Sequence, residues 1–269
     1  KKYGSQLGLT SIRNLMAELG NVQDEIPLVH IGGTNGKGSV GAMLSQVLTE
    51  SGYKVGRFCT PDVFAYEDEF QMNGINIEKD RLVQLFTKVK EACDKLTSQG
   101  KPHPTRFEVE TAAAFLWFYE EQCDIALLEV GMGGETDATN LIRKPVCSVI
   151  TSISMDHMQF LGNTLTEIAQ AKAGIIKKDC PVVTIMQKAE AMEAIKAEAE
   201  KQHARLSVAD VSKRDKVWLS GTWNGENPAY RNLSGGELLF GGHCVKRRSW
   251  NCRPDHFRWN PKYRVAGQV

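Results

Sequence analysis

The feature that most constrains the fold is one continuous apolar run, Asp124-Ile125-Ala126-Leu127-Leu128-Glu129-Val130. A strand that is apolar on both faces is typical of a parallel sheet covered by helices on each side. Further apolar runs alternate with helical patterns and lie at 27–31, 54–59, 146–151, 181–185 and 205–209. This alternation predicts β-α-β units with right-handed crossovers, and therefore an α/β fold with a mostly parallel sheet flanked by helices.

Helices are predicted where apolar residues recur every three or four positions. The predicted helices are a short one from Thr10 or Ser11 to Leu19, then 40–50, 80–96, 108–121, 164–176 and 189–203. Residues 60–77 are polar and rich in turn signals, so we expect a long loop there, of the kind that is usually functional or disordered. Residues 216–239 change to a period of two, which predicts small antiparallel hairpins at the edge of the sheet.

Composition excludes several classes of protein. The chain has 269 residues, with 33 basic and 32 acidic side chains and a net charge of +1, so it shows no overall basic excess for binding nucleic acid. It contains no run of about 18 apolar residues, so no transmembrane helix is expected. Its seven cysteines are an odd number without CxxC spacing, which favours a reducing cytoplasm with neither a disulfide framework nor zinc.

The sharpest local signal is Gly32-Gly33-Thr34-Asn35-Gly36-Lys37-Gly38-Ser39, between an apolar strand and a helix. Glycines let the backbone turn its N–H groups toward an anion, and the helix N-terminus adds positive potential. Lys37 then suits the terminal phosphates of a nucleotide and the Ser39 hydroxyl suits Mg²⁺. The spacing departs from the strict GxxxxGK[ST] pattern, because three residues separate Gly32 from Gly36 and Gly38 separates Lys37 from Ser39. A simple glycine-rich turn is the alternative.

Three other segments on the C-terminal side of predicted strands contain candidate site residues. Glu129 ends the most apolar strand and precedes a polar, glycine-rich loop at 131–140, a position that resembles a metal-binding carboxylate. Asp156-His157 follows the next strand, where His157 is either a ligand or a hydrogen-bonded structural residue. Lys172 has small or apolar neighbours, so it is either a buried lysine that needs a lowered pKa or a partner, or a surface lysine.

These segments together resemble the folylpolyglutamate synthase and dihydrofolate synthase family of the Mur ligase superfamily. Six motifs occur in the family's order over about residues 7–240. They are Gly33-Thr34-Asn35-Gly36-Lys37-Gly38-Ser39; Thr60-Pro61; Phe107-Glu108 with Thr111; Leu128 to Gly134 with Asp137-Ala138-Thr139-Asn140; Asp156-His157 with Leu161-Gly162 and Thr164; and Lys172 to Lys177.

The resemblance implies an ATP-dependent ligase of folate metabolism. ATP would phosphorylate a carboxylate of dihydropteroate or a folate, and the amino group of L-glutamate would then displace the phosphate. The implied partners are these small molecules, with no nucleic acid and no membrane. The sequence does not distinguish dihydropteroate from a folate. It departs from the family pattern in two places: Asp62 follows Thr60-Pro61 where many members carry His, and Asp68-Glu69-Phe70 stands where they often carry Glu-Arg-Ile, so the conformation of the 60–77 loop and its folate contacts stay open.

The resemblance also assigns roles to individual residues. The implied ATP-binding residues are Gly33, Thr34, Asn35, Gly36, Lys37, Gly38 and Ser39. Ser39 and Glu129 would hold the Mg²⁺ of ATP, and Thr60 and His157 would join Glu129 around a second Mg²⁺. Lys172 matches a lysine that becomes carbamylated in the family and then faces the metals. Lys37, His157 and Lys172 are therefore the expected catalytic residues.

The last residues of the chain depart from the family. Residues 1–243 match the ATP-binding domain, whereas 244–269 form a basic, Trp-containing tail without periodicity, where members continue into a second domain that binds glutamate. We expect this tail to lie outside the folded core and the chain alone to be a weak or inactive ligase. Two alternatives stay open: a non-catalytic protein that binds MgATP, folate or a partner, and a nucleic-acid-binding tail.

Overall fold

The computed structural model describes residues 8–62, 64–209, 238–240 and 243–245, with side chains in the two longer ranges. The strands are β1 (Leu28–Gly32), β2 (Val55–Phe58), β3 (Phe70–Met72), β4 (Ile75–Asn76), β5 (Ile125–Glu129), β6 (Cys147–Ile150), β7 (Val182–Ile185), β8 (Leu206–Ala209), β9 (Leu238–Phe240) and β10 (His243–Val245). The first eight form one sheet in the order β4-β3-β2-β5-β1-β6-β7-β8, in which β3 pairs antiparallel with both β2 and β4 and the other pairings are parallel. The predicted mostly parallel α/β sheet is confirmed.

Helices cover both faces of this sheet. They are α1 (Thr10–Glu18), α2 (Lys37–Glu50), α3 (Lys79–Ser98), α4 (Arg106–Glu120), α5 (Met158–Leu161), α6 (Leu165–Ala173) and α7 (Ala189–Lys201). Val29 and Ile31 of β1 belong to the apolar cluster under α2, whereas Leu28 belongs to the large cluster formed with α1, α3 and α4. The strand β1 is therefore buried on both faces, which is the reason for its apolar sequence.

The predicted helices occur, with shifted ends. Helix α2 begins at Lys37 instead of Val40, because Gly36 adopts φ 90° and ends the loop just before it. Helix α4 begins at Arg106 instead of Glu108, because Thr105 and Glu108 form a reciprocal cap: the Glu108 N–H donates to Thr105 Oγ1 and the Thr105 N–H donates to Glu108 Oε2. The capping role gives Glu108, a residue of the family motif, a structural function.

The prediction of a long loop at 60–77 is wrong, because regular elements occupy much of it. This segment contains a 3₁₀-helix (Tyr66–Glu69) and the strands β3 and β4, which supply the antiparallel edge of the sheet. Phe70 is fully buried, with its ring centroid 5.2 Å from that of Phe58 on β2. The two strands flank an Asn73-Gly74 turn and are too short for an alternating apolar pattern to be recognised in the sequence.

The antiparallel region predicted at 216–239 lies almost entirely outside the described residues. Its last two residues belong to β9, which pairs antiparallel with β10 in a separate two-stranded sheet. The division of the chain at residue 243 stays a prediction. In the described residues, no helix combines the length and apolar character that crossing a bilayer requires, and the described cysteines carry free thiols: Cys59, Cys93, Cys123, Cys147 and Cys180.

Close packing of β2 against α4 leads to a stability prediction. A Cβ added to Gly56 would lie 2.5 Å from Cδ1 of the fully buried Phe118 ring. We expect Gly56→Ala to lower the free energy of unfolding by about 1–3 kcal/mol in urea titrations, because the ring must leave its place. In a double-mutant cycle with Phe118→Leu, the cost of Gly56→Ala should fall. Additive costs would contradict the packing argument.

Candidate nucleotide site at the carboxyl edge of the sheet

The glycine-rich loop joins the carboxyl end of β1 to the first turn of α2. Gly33 has φ 130°, and a Cβ at this position would lie 2.0 Å from Thr151 Oγ1, so no other residue fits. The Thr34 N–H donates to Ser152 O at 2.7 Å, which ties the loop to the segment after β6. The first N–H groups of α2 have no acceptor within the helix, and they point outward at this edge. The backbone therefore offers a place for an anion.

Lys37 and Glu129 meet across this loop. Lys37 Nζ donates to Thr34 O at 3.2 Å and lies 3.9 Å from Glu129 Oε1. Glu129 ends β5, directly beside β1, and its side chain is only 10% exposed. Burial raises the pKa of Glu129 to about 7, against the opposing effect of Lys37 and Arg57. A carboxylate in this setting gains from a further cation close by.

Lys172 reaches the same loop from the opposite side. It lies in the last turn of α6, is buried, and donates from Nζ to Gly33 O at 3.0 Å. Burial lowers the pKa of Lys172 from 10.5 to about 8; Lys37 lowers it further, while Asp156 and Asp137 oppose the shift. Of the two alternatives that the sequence left open, the buried lysine is therefore the one that the structure shows.

The loop at 131–140 explains why Lys172 is held there. Asn140 Nδ2 donates to Glu135 O and to Gly174 O, and the Glu135 N–H donates to Ala171 O at 2.9 Å. A Cβ at Gly134 would lie 2.7 Å from Ala171 O, so this glycine allows the loop to touch the end of α6. The glycines after Glu129 thus serve helix packing in addition to any role in binding.

A buried polar chain supports the same loop. Asp137 Oδ2 accepts from the Met132 N–H at 2.8 Å, and Asp137 Oδ1 accepts from the Thr139 N–H and hydroxyl. His30 Nε2 lies 2.8 Å from Thr139 Oγ1, and since that hydroxyl donates to Asp137, His30 is the donor. Burial lowers the pKa of His30 to about 3, so the ring is neutral. The sequence analysis did not single out His30, because one histidine within an apolar strand belongs to no recognisable motif.

Thr60 and His157 lie at the same edge but make no hydrogen bond or ion pair with Glu129 in the described part of the chain. Thr60 follows β2 by two residues, and β2 is the neighbour of β5. The His157 side chain is 46% exposed, and its Nε2 lies 3.5 Å from Asp156 Oδ2, while the backbone N–H of His157 donates to Asp156 Oδ1 at 2.9 Å. Ser39 lies on the first turn of α2 and is exposed. The metal-binding roles of all three stay predictions.

A cleft of about 210 Å³ opens beside the glycine-rich loop. Its walls are Asn35, Gly36, Val40 and Met43 on one side and the ends of β6 and β7 on the other. No three His, Cys, Asp or Glu side chains gather in a metal-holding group among the described residues. A cation at this edge would therefore need ligands besides these residue types, such as hydroxyls or oxygens from a bound molecule.

Comparison with known proteins gives a consistent result. Residues 31–238 match the model of the Mur ligase middle domain. The dihydrofolate synthase/folylpolyglutamate synthase of Bacillus subtilis is 42% identical over 204 residues, which are 76% of this chain and 47% of that protein. The chain thus spans about half the length of the curated relatives that it matches.

Solved structures agree. The Mycobacterium tuberculosis folylpolyglutamate synthase complexed with ADP and AMPPCP superposes with a TM-score of 0.72 at 36% identity, over 76% of this chain and 47% of that one. An FPGS–AMPPCP–folate complex gives a TM-score of 0.73 at 36% identity, over 77% of this chain and 52% of that one.

The lowered pKa of Lys172 predicts a pH-dependent stability. Between about pH 8 and 10.5 the folded lysine is neutral while the unfolded one is protonated, so raising the pH through this window stabilises the fold. We expect urea titrations at about pH 7 and about pH 9.5 to show this gain in the wild type and its loss in Lys172→Met. The exposed Lys178→Met should keep the gain. An equal gain in all three proteins would contradict a buried, neutral Lys172.

Proposed function

Because the chain belongs to the Mur ligase family, with folylpolyglutamate and dihydrofolate synthases as its relatives, we propose that it carries the nucleotide site of an ATP-dependent ligase that joins L-glutamate to dihydropteroate or a folate. The observation that supports this most is the convergence of Lys37, Glu129 and Lys172 on the glycine-rich loop. ADP and AMPPCP in one related structure and folate in another support the choice of ligands.

The proposed reaction has two steps. A carboxylate oxygen of the pteroate or folate attacks the terminal phosphorus of ATP, the bond to ADP breaks, and an acyl phosphate forms. The amino group of L-glutamate then attacks the acyl carbon, phosphate leaves with the bonding electrons, and the amine loses a proton. Both steps develop negative charge on oxygens, which N–H groups at the start of α2 and the Lys37 ammonium can stabilise.

The residues present fit Mg²⁺. Burial raises the pKa of the Glu129 carboxyl to about 7, so a cation beside it would stabilise its ionised form. Ser39 provides a hydroxyl on the first turn of α2. Ser39 and Glu129 would hold the ion of ATP, and Thr60 and His157 would complete a second site with Glu129. When bound, Mg²⁺ neutralises charge on the phosphate oxygens.

Lys172 is the proposed site of carbamylation. A carbamate forms when the neutral amine attacks CO₂, a C=O bond of CO₂ becomes the C–O⁻ of the carbamate, and the nitrogen loses a proton. The pKa of about 8 gives Lys172 a larger neutral fraction near pH 7 than an exposed lysine has. The product would be an anion where a cation now faces Gly33 O. It would also remove the repulsion between Lys172 and Lys37 that lowers the pKa of Lys172.

The proposal predicts that Lys37→Ala weakens ATP binding. The variant removes the ammonium that faces Thr34 O and Glu129, so calorimetry should show an affinity about tenfold lower or worse. Lys88→Ala is the control, because Lys88 pairs with Glu120 on α4, away from this loop. Unchanged affinity in Lys37→Ala would remove the loop from the nucleotide site.

Ligase activity needs its own assay, with labelled L-glutamate and dihydropteroate or a folate as acceptor. The assay should compare this chain with a longer version that continues into a second domain as the relatives do. Incorporation of label that depends on ATP supports the ligase. ATP binding without incorporation in either version would instead indicate a nucleotide-binding module.

A second prediction concerns Glu129→Gln, which keeps the shape of the side chain and removes its charge. In the wild type, Mg²⁺ should strengthen ATP binding above about pH 7, where Glu129 is ionised, and less so as the pH falls through that value. In Glu129→Gln this pH-dependent part of the Mg²⁺ effect should be absent. Glu121→Gln, which alters a carboxylate that pairs with Lys54, should behave like the wild type. The same pH-dependent Mg²⁺ effect in Glu129→Gln would exclude Glu129 as a ligand.

A further inference from the structure

Arg57 is a basic side chain for which the proposed reaction has no use. It stands in β2 between Gly56 and Phe58, where the neighbouring strand residues are buried. In the sheet register it lies beside Leu127 of β5, two residues before Glu129. Leu127 faces α2, and side chains two residues apart in one strand lie on the same face of a sheet, so Glu129 faces α2 as well. Arg57, the cross-strand neighbour of Leu127, lies on that face too.

The guanidinium of Arg57 sits in a slot made by two glycines of α2. A Cβ on Gly41 would lie 3.4 Å from Arg57 Nε, and one on Gly38 would lie 4.0 Å from Arg57 Nη2. Gly38 and Gly41 are three residues apart and so face the same way on the helix. Nε is buried and has no hydrogen-bond partner in the described residues, which shows how closely the helix covers the group.

Two hydrogen bonds connect this guanidinium to different elements. Arg57 Nη2 donates to Gly38 O in the first turn of α2 at 3.2 Å, and Nη1 donates to Gln71 Oε1 on β3 at 2.9 Å. Arg57 therefore connects the first turn of α2, the strand β2 and the antiparallel edge. A planar group with several N–H donors can make such a two-sided connection, and a lysine cannot.

The first turn of α2 needs an external support of this kind. Gly36, Gly38 and Gly41 give this stretch more backbone freedom than an ordinary helix start has, and glycine in a helix favours fraying. Yet a phosphate gains most from N–H groups that are already aligned before it binds. The contact to Gly38 O reaches the turn whose N–H groups belong to Lys37, Gly38 and Ser39.

We propose that Arg57 is a positioning residue that fixes the first turn of α2 in the orientation that receives the phosphate chain. It acts through the backbone and touches no substrate. The consequence for binding rests on the proposed nucleotide function, whereas the effect on the helix does not. The two parts can therefore be tested separately.

The experiment compares Arg57→Met, Arg57→Lys and a matched control in the full 269-residue chain. Arg81→Met is the control. Arg81 is also partly buried and forms an ion pair, with Glu120 at 2.9 Å, but it lies in α3 and contacts neither β3 nor the first turn of α2 through a hydrogen bond in the described residues. Two quantities are measured: hydrogen exchange of the amides of residues 40–42 without nucleotide, and affinity for ATP without Mg²⁺. These amides are the first in α2 that have backbone acceptors in the preceding turn, beginning with the Val40 N–H, which donates to Gly36 O. Thermal unfolding shows whether each variant is folded.

We expect Arg57→Met to speed exchange at residues 40–42 and weaken ATP binding, each by about tenfold, while exchange in α7 stays unchanged. Arg57→Lys should show nearly the same increase in exchange and loss of affinity, because lysine keeps the positive charge but lacks the two guanidinium N–H groups that bond Gly38 O and Gln71 Oε1. Wild-type exchange in Arg57→Met, full recovery in Arg57→Lys, or an equal effect in Arg81→Met would each overturn the proposal. If the wild type binds no ATP, the nucleotide function fails, and the exchange data still decide the role of Arg57.

Discussion

The parallel pairing of β1 between β5 and β6 is the constraint on which the site depends. Parallel neighbours end at the same edge, so the glycine-rich loop, the loop after Glu129 and the segment after Ile150 leave the sheet together. The Thr151 N–H donates to Gly32 O at 2.9 Å and continues the ladder into the loop. An inserted strand would separate Lys37 from Glu129.

Burial has opposite effects on the acid and the base at this edge. It raises the pKa of Glu129 to about 7 and lowers that of Lys172 to about 8, so both groups change charge near neutral pH. Among the described residues, the charged neighbours do not restore their ordinary values: Lys37 lies 3.9 Å from Glu129, and Lys172 faces a carbonyl. Groups with such shifts cluster at functional sites, because binding a charged ligand then relieves the cost of burial.

The sequence analysis missed the roles of residues whose surroundings come from distant parts of the chain. Phe70 looked like one aromatic residue in a polar loop, and it became a core residue because the Phe58 and Tyr66 rings lie within 5.2 and 6.1 Å of it. Arg57 lies within the predicted strand at 54–59, which gives no sign of its slot, because that slot is formed by two glycines of α2. Glu108 matched a family motif, and the structure shows it capping α4.

The sequence by itself determined the order of the parallel strands and the helices between them and the place of the glycine-rich loop, because periodicity and backbone freedom are local properties of neighbouring residues. It also supplied the resemblance that named the family. Only the tertiary structure decided which charged groups meet. Lys172 and Gly33 are 139 residues apart, and their contact depends on how α6 packs against the 131–140 loop. Desolvation is set by all the atoms that surround a group, so no stretch of sequence carries the pKa of Glu129 or Lys172.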